Sequence, residues 1–153
     1  MNQPDLTNTT LICMVGFPRS GKSTIAKQLS ARYNAPIVEP DAIRLTVHGT
    51  AYRQEIEPLI HATTAVMVRS LLNAGHQVVI LDEVGNTRRI RDQARVMGAA
   101  RTLFYPVPTS PEVCKERAVA TDQAYLLPVI DKMAAQFQPL EDDESLYRGS
   151  VGR

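Results

Sequence analysis

Apolar residues recur along the chain in two rhythms, and the alternation between those rhythms predicts the fold class. Leu11 to Val15 is a continuous apolar run ending at Gly16, the pattern of a strand buried on both faces of a parallel sheet. From Ser23 to Tyr33, Ile25, Ala26, Leu29 and Tyr33 recur near helical spacing until Asn34 and Pro36 stop the helix. Ile37 and Val38 form a short second strand. Between Arg53 and Ala74, apolar and small positions from Ile56 to Leu71 keep three-four spacing up to Gly75, which predicts one long helix. His76 to Leu81 (HQVVIL) is another buried strand, with Asp82 at its carboxyl end. A basic helix from about Thr87 to Met97 follows, closed by Gly98, and Arg101 to Val107 holds a fourth strand. Pro111 opens a helix where its missing N–H costs little, and Leu127 to Phe137 is the last helix.

Strands alternating with helices imply an α/β domain: a parallel sheet with right-handed crossovers and helices on both faces. Ligands in such sheets bind beyond the carboxyl ends of the strands. A length of 153 residues suits one catalytic core, with residues 1–10 as a flexible start, 11–140 as the domain and 141–153 as a polar tail. The acidic run EDDE at 141–144 reads as solvated.

Charge and cysteines narrow the function. A net charge of +1 argues against coating nucleic acid by bulk electrostatics, although a local basic site remains open. Cys13 and Cys114 have no CxxC spacing and no histidine partner, so both read as packed thiols rather than zinc ligands. His48, His61 and His76 lack metal or triad spacing and read as structural or surface residues. The polar start has no signal-peptide pattern and the apolar runs are strand-sized, which predicts a cytoplasmic protein with no membrane partner.

One loop carries the chemistry. Gly16-Phe17-Pro18-Arg19-Ser20-Gly21-Lys22-Ser23 matches GxxxxGK[ST] between a predicted strand and a predicted helix. A loop of this length wraps its amides around a phosphate while the helix N-terminus points its dipole at the anion. Gly16 and Gly21 admit close approach, Lys22 reaches the β- and γ-oxygens, the Ser23 hydroxyl suits Mg²⁺, and Thr24 lines the same turn. Asp82, where VVILD leaves the sheet, has the place of a second metal-binding group, or of a strand-end aspartate bonded to nearby backbone.

GFPRSGKST, then DAIR at 41–44, VVILDEVGNTRR at 78–89 and ERAVATDQAYLLPVIDKMAAQF at 116–137 together resemble the polynucleotide-kinase-like group of small ATP-binding kinases. Zeta-toxin and adenylylsulfate kinases are more distant relatives of that group. The resemblance covers nearly the whole chain and implies a three-layer P-loop NTPase fold with a four-stranded, mostly parallel sheet. It also implies ATP with Mg²⁺ as cofactors and a hydroxyl-bearing acceptor, with a nucleic-acid or nucleotide hydroxyl among the candidates. In similar kinases the aspartate of D-x-x-R is the general base and its arginine holds the acceptor or a neighbouring phosphate; here these are Asp41 and Arg44.

Asp41 also suits a helix N-cap, and Arg44 could merely pair with it one turn on. Arg117 corresponds to an arginine on the helix leading to the lid, while Thr121 stands where similar kinases often carry a second arginine. Arg19 could partly replace it. Arg88, Arg89, Arg91 and Arg95 read either as a solvated helix face or, for Arg88 or Arg89, as an acceptor-phosphate site. Glu83 after Asp82 keeps open an ATPase or nucleotide switch without an acceptor. Asp82-Glu-Val-Gly85 fits DxxG, but no NKxD motif supports a GTPase.

Overall fold

The computed structural model describes residues 7–49 and 53–149. The flexible start expected for residues 1–10 lies outside the described residues as far as residue 6; Thr9 and Thr10 are buried. Four strands form one sheet in the order β2-β3-β1-β4: β1 (Thr10–Val15), β2 (Ile37–Val38), β3 (Val78–Leu81) and β4 (Arg101–Pro106). Every pairing is parallel, with Ile12 opposite Ile80 on one side and Leu103 on the other. Among the described residues six α-helices connect and cover them: α1 (Lys22–Tyr33), α2 (Pro40–His48), α3 (Glu57–Asn73), α4 (Arg88–Arg95), α5 (Pro111–Ala120) and α6 (Leu127–Gln136).

The continuous apolar runs become the central strands because both sheet faces are covered. Leu11, Cys13 and Val15 of β1 join Val79 and Leu81 against Ile43 of α2 and Ile60, Val68 and Leu72 of α3. Ile12, Met14, Val78 and Ile80 pack on the opposite face against Ala26 and Leu29 of α1. Each such fully buried aliphatic side chain contributes roughly 1.5–3 kcal/mol. A third small cluster of Cys114, Ala118 and Ile130 joins α5 to α6 and receives Phe17 from the phosphate loop.

The long helix expected from Arg53 begins instead with a 3-10 turn, Gln54–Ile56, and becomes α-helical at Glu57, where Pro58 suits the first turn. Both cysteines are buried and unpaired. Among the described residues no helix is long and apolar enough to cross a membrane.

The expectation that 141–144 is solvated holds for residues 141–143, which are exposed, and is corrected at Glu144, which is buried. The Ser145 carbonyl accepts from the Phe104 amide at 2.9 Å, and the Tyr147 amide donates to the Phe104 carbonyl at 2.8 Å, so this segment covers the outer edge of β4. Tyr147 stacks on Tyr105 at 5.5 Å and shares a 2.7 Å hydroxyl hydrogen bond with Tyr33. Glu144 is buried against Arg91, with bonds of 2.6 and 3.1 Å. Arg91 is itself the largest fully buried side chain and also donates to the carbonyls of Gly85 and Pro139. A buried arginine needs a carboxylate, and Glu144 meets that need. Residues 150–153 of the expected tail lie outside the described residues.

Candidate active site

The phosphate loop leaves β1 and enters α1 with three of its carbonyls held in hydrogen bonds. Phe17 O accepts from the Ser20 amide at 3.0 Å, Ser20 O from the Thr109 hydroxyl at 2.7 Å, and Arg19 O from Arg117 Nη1 at 3.2 Å. With these carbonyls engaged, and the Gly16 and Ser20 amides bonded to Val84 O and Phe17 O, the amides at the entry to α1 are the ones left for an anion. Gly16 has no room for a side chain: a Cβ there would lie 2.6 Å from Ser20 Oγ and 3.2 Å from Val107 Cβ. Gly21, at φ 97°, occupies the left-handed region at the helix entry, where no side chain caps α1. The first-turn amides of α1, from Lys22 to Thr24, therefore face the loop uncapped, as an anion cradle requires.

Asp82 sits beneath this cradle at the end of β3, buried. Its Oδ2 accepts a 2.7 Å hydrogen bond from Ser23 Oγ, and its Oδ1 lies 4.0 Å from Lys22 Nζ. Asp82 Oδ1 is buried without a hydrogen-bond partner, an arrangement that costs free energy unless a cation completes it. A hydroxyl and a carboxylate oxygen side by side fit Mg²⁺, which takes few protein ligands and completes its shell with phosphate oxygens and water. No three His, Cys, Asp or Glu side chains among the described residues cluster to hold a metal by themselves. Neighbouring Glu83 is largely buried, and burial pushes its carboxyl up to about 7, with Asp82 adding to the rise and Arg44 opposing it.

Asp41 and Arg44 stand beyond the neighbouring strand end. β3 lies between β1 and β2, so the helix after β2 opens on the same carboxyl edge as the phosphate loop. Glu39, rather than Asp41, occupies the N-cap of α2; Pro40 takes the first helical position and Asp41 the second. The N-cap role for Asp41 is thereby corrected, because the helix starts two residues earlier than that role requires. The Asp41 side chain is 70% exposed and accepts a 2.6 Å bond from Arg44 Nη1. Arg44 also grips Glu57 at the start of α3 in bidentate fashion, at 2.9 and 2.6 Å. Burial works against the Arg44 charge, but Glu57 and Asp41 outweigh it and raise the guanidinium further. Glu57 was not legible in the sequence: it lies thirteen residues from Arg44, outside any helical spacing.

Arg117, on the last turn of α5, bears on the phosphate loop through Arg19 O, while Thr121 is the C-cap of α5 and returns its hydroxyl to Arg117 O at 2.9 Å. The Arg19 side chain is exposed and makes no hydrogen bond among the described residues, so its replacement of a second lid arginine loses its support. Arg19 nonetheless adopts φ 67°, a left-handed conformation that the loop imposes on a non-glycine residue. Asn86, buried after β3, also escaped sequence reading: its amide reaches Met133 O at 3.3 Å and its carbonyl accepts from Gln138, tying the β3 exit to α6. Phe17 meets Phe137 edge-on at 5.7 Å, a second tie between the loop and that helix end.

An AAA-domain family model matches residues 11–140, most of the chain, with the phosphate loop near its start. The chain belongs to this AAA-domain family of P-loop proteins. No curated protein matches it significantly. The AAA domain is similar in structure to a gluconokinase from Sinorhizobium meliloti 1021, with a TM-score of 0.67 at 17% identity, covering 93% of this chain and 82% of that one. It is also similar to the Mycobacterium tuberculosis APS kinase CysC in complex with AMPPNP and APS, at 0.63 and 16% identity over 93% and 83% of the two chains. Chaetomium thermophilum Kti12 in complex with ADP-AlF3 gives 0.68 at 18% identity over 91% and 89%. At these identities the likeness establishes the fold, an α/β P-loop fold shared with small kinases.

Proposed function

We propose that this AAA domain is an ATP- and Mg²⁺-dependent kinase that transfers the terminal phosphoryl group to a hydroxyl acceptor. The observation that carries the reading is the meeting of Lys22, Ser23 and the orphaned Oδ1 of Asp82 under an amide-lined loop, one strand away from a carboxylate held by an arginine. The shared fold of a gluconokinase and an APS kinase supports it. When bound, ATP supplies the phosphoryl group, and Mg²⁺ offsets its charge.

The chain's own residues bind, orient and move a proton. Within the loop of residues 16–24, the Gly16 and Ser20 amides are spent on Val84 O and Phe17 O, and the amides from Gly21 to Thr24 would hold the triphosphate; Lys22 stabilises charge on the transferring group, and Ser23 with Asp82 would hold the metal. Arg117 steadies the loop and is the cofactor contact on the lid side. Glu57 fixes Arg44, and Arg44 orients the Asp41 carboxylate, which accepts the proton of the acceptor hydroxyl. A nucleic-acid or nucleotide hydroxyl is among the acceptors this arrangement admits. Labelled-ATP transfer across acceptor classes, including 5′-hydroxyl oligonucleotides, tests the reading; no labelled product with any acceptor class refutes it.

Glu83 favours a second reading, an ATPase or nucleotide switch, because its carboxylate is largely buried beside Asp82 with no hydrogen-bond partner among the described residues. Phosphate release with and without acceptor separates the two. Acceptor-independent hydrolysis that disappears in Glu83→Gln would establish the ATPase; unchanged acceptor phosphorylation by that variant supports the kinase.

A further inference from the structure

Helix α4 carries four arginines, and the tertiary structure treats one of them differently. Arg88 donates to Asp92, Glu141 and Asp143 at 2.7–2.8 Å. Arg91 is buried on Glu144, and Arg95 pairs with Asp92 and Asp143. Arg89 is exposed and has no hydrogen bond or ion pair to any described residue. The acidic segment 141–144 thus neutralises its neighbours and leaves this single cation available.

Topology places Arg89 at the working edge of the sheet. α4 starts seven residues after β3 ends, so its first turn stands at the carboxyl edge. α3 leads into the amino end of β3, so it is the first turns of α3, with Glu57 and His61, that reach that same edge. Glu57 and His61 are one turn apart on one face of α3. Glu57 there holds Arg44 of the proposed acceptor side. His61 is half-buried; burial first, then the charges of Arg44 and Arg89, push its imidazole below the ordinary value, while Glu57 pulls the other way. Ala94 of α4 and Ile60 and Val68 of α3 pack in the same cluster on one face of the sheet, so the first turn of α4, with Arg89, lies at the same edge and on the same face as the Arg44–Glu57 pair. Arg44 has its guanidinium committed to two carboxylates, so a negative group entering this space would meet Arg89 as its uncommitted cation.

We propose that Arg89 is a specificity residue that binds an oxyanion, a carboxylate or a phosphate ester, carried by the acceptor near its reacting hydroxyl. The inference rests on the kinase reading for the word acceptor, but the anion site itself can be measured without transfer. The test uses matched probes differing in one charge: sorbitol against gluconate for a carboxylate, and adenosine against adenosine 3′-phosphate for a phosphate ester. Binding is measured by calorimetry in the presence of saturating Mg-ADP, for the unaltered protein, Arg89→Ala and Arg89→Lys.

In at least one pair the charged member is expected to bind more tightly, and Arg89→Ala to weaken that member by about 10- to 100-fold, as loss of a hydrogen bond to a charged group implies. Arg89→Lys should recover part of the loss, and the uncharged members should be unaffected. Which pair shows the effect distinguishes carboxylate from phosphate. Equal binding within both pairs, no measurable binding of any probe, or unchanged binding by Arg89→Ala overturns the proposal. Arg89-dependent binding without labelled transfer from ATP to any acceptor would instead leave the anion site standing and remove the kinase reading.

Discussion

The phosphate side and the proposed acceptor side stand at strand ends separated only by β3, yet they are built in opposite ways. The phosphate side comes from one contiguous segment, residues 16–24, whose shape is set by backbone: the absence of room at Gly16, the left-handed Gly21 and carbonyls held in hydrogen bonds. The proposed acceptor side is assembled from α2, α3 and α4 through side-chain charge, with Arg44 shared between Asp41 and Glu57 and Arg89 in the first turns of α4 at the same sheet edge. Backbone amides suit a group that is the same in every turnover. A frame of ion pairs can change partner by single substitutions without disturbing the loop, which is how one P-loop fold serves many acceptors.

The sharpest break of this comparison sets Lys22→Ala against Asp41→Asn. Each is expected to reduce transfer by roughly 10²–10⁴-fold, but for different reasons. Lys22→Ala should also lose most triphosphate affinity, whereas Asp41→Asn should bind ATP as before and keep its stability, since an exposed ion pair is worth only about 0–1 kcal/mol. Calorimetric titration with ATP beside single-turnover transfer reads both effects. Equal loss of ATP binding in the two variants would erase the division between the sides.

Glu144→Gln comes next in size. Leaving Arg91 buried without its carboxylate should cost about 3–5 kcal/mol in chemical denaturation. Because the 141–144 segment backs α4, the loss should loosen the acceptor side before the phosphate side, visible as faster hydrogen exchange in residues 88–95 than in 22–33. The same contact carries a pH dependence. Burial would raise the Glu144 carboxyl, but the Arg91 hydrogen bonds outweigh burial and lower it. A carboxyl held below its unfolded value stabilises the fold above the ordinary carboxylate range. That contribution is lost as pH falls through the depressed value, so the stability difference between wild type and Glu144→Gln should shrink in acid. A difference independent of pH between 7 and 3 would contradict this assignment.

The smallest effect expected is that of Glu57→Gln. Arg44 then loses its bidentate partner and Asp41 its fixed orientation, and transfer should fall by about 10-fold, within what a small misplacement costs. The acceptor KM should rise while ATP affinity stays constant. A change in ATP affinity would show that the two sides are coupled through Arg44 rather than separable.

The phosphate loop was legible in sequence because its function resides in consecutive backbone groups, and Gly16, Gly21 and Lys22 announce that backbone directly. Asp82 was legible for a similar reason: a buried strand ends at it, and strand ends are where such sheets bind ligands. Glu57, Asn86 and Glu144 were not legible, since each acts on a partner distant in the chain and no local periodicity records such a pairing. Reading 141–144 as solvated followed charge alone and fails at Glu144, which is buried as the carboxylate partner of the buried Arg91.

By itself, then, the sequence determined the parallel α/β order, the phosphate-loop motif and the aspartate at the end of β3, all properties of contiguous residues recorded in hydrophobic period and loop spacing. The tertiary structure alone decided which charges are free. Four arginines on one helix are equivalent in sequence, and only the return of the chain along β4 consumes three of them and leaves Arg89 open. Neutralisation depends on distance through space, which falls outside anything that order along the chain can encode.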